Sequence, residues 1–255
     1  MTVSAVSCRS PVFRTTEGQG VRAIVARTPD ALGRSMAFVL HDAIHFCISG
    51  EQVILLDVRS ERFCALPRSC NDAFLSWLGG EPIAEREMSC LELLVVKGIL
   101  HRTAQEAPRP DRRTPVRLVS TDLLDTSLLQ PSTLEVVRAI SARLLWAWRM
   151  KHWRLERQLQ HLEQPVGSKK TTPTADVRAI VRAFELADRI LGSHDKCMER
   201  SFAMLSVCRK YGLPARAVIG VQNGPFAAHC WVQDGEIVLN EHPDRVQLFT
   251  PIMVI

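Results

Sequence analysis

Three short apolar runs follow one another closely between residues 44 and 66. In the first, Ile44, Phe46 and Ile48 alternate with other side chains; the second reads QVILLDV and the third RFCAL. Alternation with a period of two, and short apolar runs bounded by turn residues, are typical of β-strands. The pattern therefore predicts three strands joined by tight turns, which form an antiparallel meander.

A helical pattern begins directly after this meander. The segment PRSCNDAFLSWL has helical spacing from Pro67 and stops at Gly79-Gly80, and MSCLELLVVKGIL predicts a second helix that ends near Leu100. Strands and helices in so short a stretch indicate a small α+β module over residues 36–102.

The second half of the chain is helical at first. From Pro131 onward, apolar and small residues recur largely on one helical face, and a further helix is predicted from about Ala175 to Leu191. The residues on that first face are Leu134, Val137, Ser141, Leu144, Trp148, Leu155, Leu159 and Leu162. The Pro-rich and charged segment 103–117 predicts a linker. Residues 1–35 are weakly periodic and predict a flexible extension, unless Met36 is the true start.

The stretch HDKCMERSFAMLSVCRKYGL predicts a helix whose first turn contains Cys197, with Ser193 or Asp195 as the expected N-cap. Unpaired backbone N–H groups and the helix dipole favour negative charge in a first turn, which lowers the pKa of a thiol there. Cys197 is therefore a candidate nucleophile, whereas Cys208 in the middle of the helix is expected to be a core residue.

A strand, ARAVIGV, and a hairpin, AAHCWVQDGEIVLNE, follow this helix, with the turn at DG. The hairpin places His229 on one strand and Glu241 at the end of the other, where the carboxylate can face the imidazole; Asp244 competes for this role. A helix-borne cysteine followed by a histidine and a carboxylate on strands is the order of papain-like and transglutaminase-like triads. Cys197, His229 and Glu241 are the predicted catalytic residues.

Composition argues against several other classes. Hydrophobic residues make up 46% of the 255 residues, which allows a packed core. The net charge of +5 is spread along the chain without a basic, aromatic stripe, so no nucleic-acid partner is expected. No apolar run approaches a membrane span and the N-terminus has no apolar run typical of a signal peptide, so a cytoplasmic location without a membrane partner is expected. No two of the eight cysteines form CxxC, and neither a metal nor an organic cofactor is expected.

Residues 175–251 closely resemble the leader peptidase of lasso-peptide biosynthesis, the B protein. The matching motifs are C-x-x-R-S at 197–201, I-G-V at 219–221, A-H-x-W at 228–231, and V-x-N with a following acid at 238–241. This resemblance implies a transglutaminase-like cysteine peptidase domain over residues 118–255, with its catalytic core at 175–251. The family usually has Asp as its third catalytic residue, so the longer Glu241 requires an adjusted geometry.

Residues 36–102, above all HFCISGEQVILLDVRSERFCALP, resemble the peptide-recognition element of ribosomally made natural products, similar to the pyrroloquinoline-quinone peptide chaperone. In that family a leader peptide adds a strand beside the third strand and packs against the last helix. The resemblance implies a small winged-helix-like module: a three-stranded antiparallel sheet plus three helices. The implied leader-binding residues are Arg62, Phe63, Cys64, Ala65 and Leu66 on the edge strand, with Leu94 and Lys97 on the helix.

Together the two resemblances imply a cysteine endopeptidase for antibiotic biosynthesis. It would bind the leader of a lasso-peptide precursor and cleave at the leader–core junction, freeing the core N-terminus for macrolactam cyclisation. The implied partners are this precursor, with Thr at the penultimate leader position, and a separate ATP-dependent cyclase of the asparagine-synthetase type. Two alternatives remain open: a transglutaminase-like acyltransferase or deamidase with the same triad, and a non-catalytic escort that delivers the precursor to the cyclase.

Overall fold

The computed structural model describes residues 37–103, 109–111, 116–124, 130–163 and 176–255, and its fold is mixed α+β. In chain order the elements are β1 (Ala37–Leu40), β2 (Ile44–Ser49), β3 (Gln52–Asp57), β4 (Arg62–Ala65), α1 (Arg68–Gly79), α2 (Glu85–Val96), β5 (Leu100–Thr103), β6 (Thr121–Asp122), α3 (Thr133–His152), α4 (Leu155–Glu163), α5 (Val177–Leu191), α6 (Cys197–Lys210), β7 (Arg216–Asn223), β8 (Phe226–Asp234), β9 (Ile237–Val238), α7 (Pro243–Val246) and β10 (Thr250–Val254).

The chain divides into two compact units. One contains the described residues of 45–66 and 112–255, and the other contains those of 7–44 and 67–111. The extension predicted for residues 1–35 and most of the predicted linker lie outside the described residues. The boundaries of the recognition element, linker and peptidase domain therefore stay predictions.

Strands β2, β3 and β4 form the three-stranded antiparallel sheet that the sequence pattern predicts. The order β2-β3-β4 makes β4 an outer strand, paired to β3 with Phe63 opposite Leu56. Cys47, Ile54 and Leu56 from this sheet, and Val58 directly after β3, are buried in the same hydrophobic cluster as residues of helices α3 to α6. The meander and the C-terminal part of the chain thus share one core.

The unit that holds α1 and α2 differs from the sequence prediction at two places. Helix α2 ends at Val96 rather than near Leu100, because Gly98 adopts φ +68° and turns the chain. Leu100 instead begins β5, which pairs antiparallel with β1. Within residues 37–103 the structure has two helices, where three were predicted.

The apolar stripe predicted from Pro131 onward is divided between two helices that bury different faces. The backbone at Trp153 is extended and separates α3 from α4. Leu155, Leu159 and Leu162 of α4 are buried as the pattern indicates, but the stripe on α3 is exposed. The exposed residues are Leu134, Val137, Leu144 and Trp148, each between 51% and 56% accessible. Helix α3 is rotated away from the expected orientation because its buried face carries Arg143, which pairs with carboxylates on α5 and α6.

The C-terminal sheet has the order β10-β7-β8-β9-β6, in which only β6 and β9 run parallel. The predicted strand and hairpin correspond to β7, β8 and β9. Helix α6 lies against β8, and the Ser201 hydroxyl donates a hydrogen bond of 2.9 Å to the Cys230 carbonyl. This contact joins the helix of the candidate cysteine to the strand of the candidate histidine.

Gly220 lies opposite His229 in the β7–β8 register, where the packing excludes a larger residue. An added Cβ would lie 2.8 Å from Trp231 Cζ3 and 2.9 Å from Phe249 Cβ. We expect Gly220→Ala to lower the free energy of unfolding by about 1–3 kcal/mol, since overpacking displaces rings. Urea unfolding measures this change. In the control Gly224→Ala the added Cβ meets nothing within 4 Å. A stability of Gly220→Ala equal to that of this control would contradict the prediction.

Candidate active site

The first turn of α6 lacks the side-chain cap that the sequence predicts. The helix begins at Cys197 with Lys196 as its N-cap, and the Lys196 side chain makes no capping hydrogen bond. Neither Ser193 nor Asp195 caps this helix. Asp195 has a left-handed φ of +56° and turns the chain one residue too early. Without a side-chain cap, first-turn N–H groups remain available to another acceptor.

The Cys197 sulfur lies among such groups. The backbone N–H groups of Met198 and Cys230 and the imidazole of His229 all favour its charged form. Burial raises the pKa of the thiol, but the hydrogen bond and charge of His229, together with the two N–H groups, outweigh burial and lower the pKa overall. The surroundings of Cys197 therefore favour the thiolate.

His229 joins Cys197 to Glu241. Its Nε2 lies 3.0 Å from Glu241 Oε2, and both residues are buried, at 4% and 8% exposed. Burial lowers the pKa of His229, whereas the hydrogen bonds and charges of Cys197 and Glu241 raise it overall. Because Nε2 is hydrogen-bonded to Glu241, Nδ1 is the ring nitrogen left to exchange a proton with the thiol.

Glu241 is held from three sides. Besides His229, Arg245 Nη1 lies 3.0 Å from Oε2, and the backbone N–H of His242 donates to Oε1 over 3.3 Å. Burial raises the pKa of this carboxyl, but the bond to His229, the charge of Arg245 and the bond from His242 lower it overall. Asp244, the competing acid, is exposed on α7. The structure thus places an ionised Glu241 beside the imidazole.

Two aromatic rings pack against the His229 imidazole. Trp231 lies nearly parallel to it, with ring centroids 6.4 Å apart, and the centroid of Phe249 lies 5.2 Å away. The absence of a side chain at Gly220 leaves room for both rings. The histidine therefore has an orientation fixed by packing as well as by Glu241, which accounts for the I-G-V and A-H-x-W motifs.

A buried polar cluster behind the candidate cysteine was not predicted from the sequence. Asn240 Nδ2 donates to the Ser201 hydroxyl over 2.9 Å, and the Asn240 side-chain oxygen accepts from Val232 N–H over 2.8 Å. Since Ser201 also donates to the Cys230 carbonyl, these bonds connect α6, β8 and the segment after β9. The only sequence signal was the presence of both residues in the motifs C-x-x-R-S and V-x-N.

An ion-pair network fixes the start of α6 from the other side. Arg143 is fully buried and pairs with Asp188 of α5 and, over 3.0 Å, with Glu199 of α6. Arg200 donates to Asp188 over 2.7 Å and to the Asn240 carbonyl over 3.3 Å. The helix turn that carries Cys197 is thereby connected to α3, α5 and the segment that leads to Glu241.

The residues predicted to bind a leader lie in different compact units. Arg62 and Ala65 on β4 are exposed, whereas Leu66 is buried. In the other unit Leu94 is buried within α2 and Lys97 is the exposed C-cap of that helix. Phe63 and Cys64 are partly buried. The leader-binding roles of all seven residues stay predictions.

We expect His229→Ala to move the alkylation of Cys197 to higher pH. The wild-type thiol pKa is lowered chiefly by His229, so without the imidazole the effect of burial dominates and the thiolate forms only in more alkaline solution. The rate of iodoacetamide labelling at Cys197, followed by peptide mass mapping against pH, measures this shift. His194→Ala, on an exposed histidine, is the matched control. An unchanged pH profile in His229→Ala would contradict the assigned contact.

A cysteine at a helix start, beside a strand histidine that is hydrogen-bonded in turn to a carboxylate, is the arrangement of thiol-dependent acyl-transfer enzymes. Residues 139–254 match the family model of the transglutaminase-like superfamily. The C-terminal part of the chain is therefore a transglutaminase-like domain, and members of this superfamily are typically cysteine peptidases or transferases. Comparisons with curated proteins and with solved structures gave no significant match.

Three further features concern only the part of the chain that the structure describes. None of its helices is long and apolar enough to cross a membrane. Within the same residues, no group of three or more His, Cys, Asp or Glu side chains is arranged to hold a metal ion. The seven described cysteines are free thiols.

Proposed function

We propose that the protein is a cysteine endopeptidase that cleaves a ribosomally made lasso-peptide precursor at its leader–core junction. The observation that carries this proposal is the contact of Cys197 with His229, whose Nε2 is bound by Glu241. The geometry supports acyl transfer through a thiolate, and the resemblance of the N-terminal module to a leader-recognition element supports a leader peptide as the substrate.

In the proposed reaction His229 Nδ1 takes the proton of Cys197, and the thiolate attacks the carbonyl carbon of the scissile peptide bond. The tetrahedral oxyanion accepts a hydrogen bond from a backbone N–H in the first turn of α6, for which that of Cys197 is our candidate. His229 then protonates the leaving nitrogen, the C–N bond breaks, and the core departs with a free amine. The leader remains attached as a thioester.

The second half of the reaction restores the enzyme. His229 takes a proton from water, the hydroxide attacks the thioester carbonyl, and the leader leaves as a carboxylic acid while the sulfur regains its proton. Glu241 keeps the imidazole in one orientation and stabilises its protonated form in both halves. Arg245, which contacts Glu241, would act as a positioning residue.

The proposed leader site is the edge of the meander. Strand β4 is an outer strand, and an extended peptide can add to such an edge by main-chain hydrogen bonds. The meander shares a hydrophobic core with the transglutaminase-like domain. In addition, the Glu61 carboxylate after β3 accepts a hydrogen bond of 2.8 Å from the N–H of Leu155. A leader held on β4 would therefore raise the local concentration of the junction near Cys197.

The test is mass spectrometry of a precursor peptide encoded beside this gene after incubation with the wild-type protein. We expect cleavage at a single bond, directly after the last leader residue, which follows the penultimate Thr. A core peptide that carries only a few leader residues should be cleaved much more slowly. An intact precursor in the presence of the cyclase, with a correctly folded protein, would contradict the peptidase and leave the escort alternative.

The superfamily match also includes transferases, which favours acyl transfer as the second candidate. The two share the thioester and differ only in the group that attacks it. Adding glycine amide to the assay separates them. A leader that ends in a carboxylic acid indicates proteolysis, and a leader ending in glycine amide indicates transfer.

A further inference from the structure

Two phenylalanines from different sheets of the same compact unit meet at the beginning of strand β8. The ring centroids of Phe63 on β4 and Phe226 on β8 are 5.7 Å apart, and the ring planes are inclined by 55°. Phe226 is 41% exposed, while Phe63 is partly buried against the main core. The pair therefore presents aromatic surface to solvent on a base that is fixed by the core.

Strand geometry connects this aromatic pair to the candidate nucleophile. Side chains alternate along a strand, so Phe226, Ala228 and Cys230 share one face of β8. The Cys230 carbonyl accepts a hydrogen bond of 2.9 Å from the Ser201 hydroxyl, and Cys197 lies about one turn before Ser201 on α6. Four residue steps separate Phe226 from Cys230, which corresponds to about 13 Å of extended chain.

Ala228 lies between Phe226 and Cys230 on this face of β8. Ala228, Met198 and Cys197 are partly buried residues that pack against the same core cluster as Phe63. An extended peptide lying along this face of β8 would meet the aromatic pair at one end and the thiol at the other. Since an extended peptide also advances about 3.3 Å per residue, four of its residues cover this distance.

We infer that Phe63 and Phe226 form a subsite for an aliphatic or aromatic side chain of the leader, about four residues before the cleaved bond. This inference rests on the proposed function. Phe63 belongs to the strand that would hold the leader, and the leader precedes the cleaved bond, so the subsite lies on the acyl side. Burial of an apolar side chain against the two rings favours binding, whereas a carboxylate there loses water without gaining a partner.

Peptide vinyl sulfones test this subsite without a cognate precursor. The thiolate of Cys197 adds to the terminal vinyl carbon, forming one C–S bond, and the adjacent carbon takes up the proton from His229, so no group leaves. A series of six-residue probes carries Leu, Ala or Asp at one position at a time. The second-order rate of adduct formation at Cys197 is measured by intact-protein mass spectrometry and peptide mapping.

We expect the wild-type protein to react about tenfold or more faster with Leu than with Asp at the third to fifth residue before the electrophile. Phe226→Ala should reduce that ratio to less than about threefold, and Phe226→Leu should retain most of it. Trp148→Ala, which removes an exposed aromatic ring from α3, is the matched control and should leave the ratio unchanged. Iodoacetamide labelling of Cys197 in each variant shows that the thiol itself is intact.

Two outcomes separate this inference from the proposed function. A protein that cleaves its precursor and reacts with the probes, but shows no preference at these positions or keeps it in Phe226→Ala, would overturn the subsite alone. A protein whose Cys197 reacts with neither iodoacetamide nor any probe, and which leaves the precursor intact, would overturn the proposed function, and the subsite with it.

Discussion

Cys197→Ala is expected to lower the rate of precursor cleavage by at least about 10⁴-fold while leaving the fold intact. The change removes the atom that would form the thioester, and no neighbouring group can replace it. Cys230 is another cysteine near this site, but burial and the charge of Cys197 raise the pKa of its thiol, so that it stays protonated at neutral pH. The measurement is a single-turnover time course of precursor cleavage followed by mass spectrometry.

Cys208→Ala provides the matched control because it makes the same change in the same helix. Burial raises the pKa of the Cys208 thiol to about 12, so this residue remains protonated and inert. We expect its loss to cost about 1 kcal/mol of stability and to leave the cleavage rate within a few-fold of the wild type. Cleavage by Cys197→Ala at a rate close to that of this control would refute the assignment of the nucleophile.

Arg143→Met is expected to lower the free energy of unfolding by about 3–5 kcal/mol, the largest stability effect that we predict for a single substitution. The guanidinium is fully buried and donates to Asp188, to Glu199 over 3.0 Å and to the Gly192 carbonyl over 3.0 Å. Methionine retains much of the volume but removes the cation from the mostly buried Glu199 carboxylate and leaves Asp188 with Arg200 alone. Urea unfolding of the full chain measures the loss.

Lys151→Met tests the same side-chain change on the exposed part of α3 and should alter stability by less than about 0.5 kcal/mol. If Arg143→Met lowers the free energy of unfolding by less than about 1 kcal/mol, other groups stabilise the charges of Asp188 and Glu199 without Arg143, and the prediction is wrong. Because Glu199 and Arg200 lie within one turn of Cys197, we also expect Arg143→Met to slow iodoacetamide labelling of that thiol under native conditions.

Much of the local structure was predictable because its causes lie within a few residues. The meander of β2, β3 and β4 follows from alternation and turn residues. Strand β7 follows from its apolar run, and β8 and β9 follow from two strands around an Asp-Gly turn. The positions of Cys197 and His229 on a helix start and a strand follow from the same patterns. The hydrogen bond of His229 to Glu241 joins residues 12 apart across one hairpin, which is why strand pairing could predict their proximity.

Other features were predicted wrongly because a local pattern contains no information on distant partners. The expected caps of α6 failed because Asp195 turns the chain before the helix begins. The apolar stripe on α3 was expected to face inward, yet this helix buries Arg143. Strands β1 and β5 were not predicted, since each is short and is completed only by the other, with Leu40 opposite Leu100.

The sequence by itself therefore determined the meander, the strands around the Asp-Gly turn and the residues that carry the candidate chemistry, because periodicity, turns and motif spacing act over short stretches of chain. Tertiary structure alone decided which face of α3 is buried and what supports Cys197. The bond from Arg143 to Glu199 spans 56 residues and that from Asn240 to Ser201 spans 39. Such buried polar contacts have low energy only when both partners are brought together, and neither partner alone predicts the other.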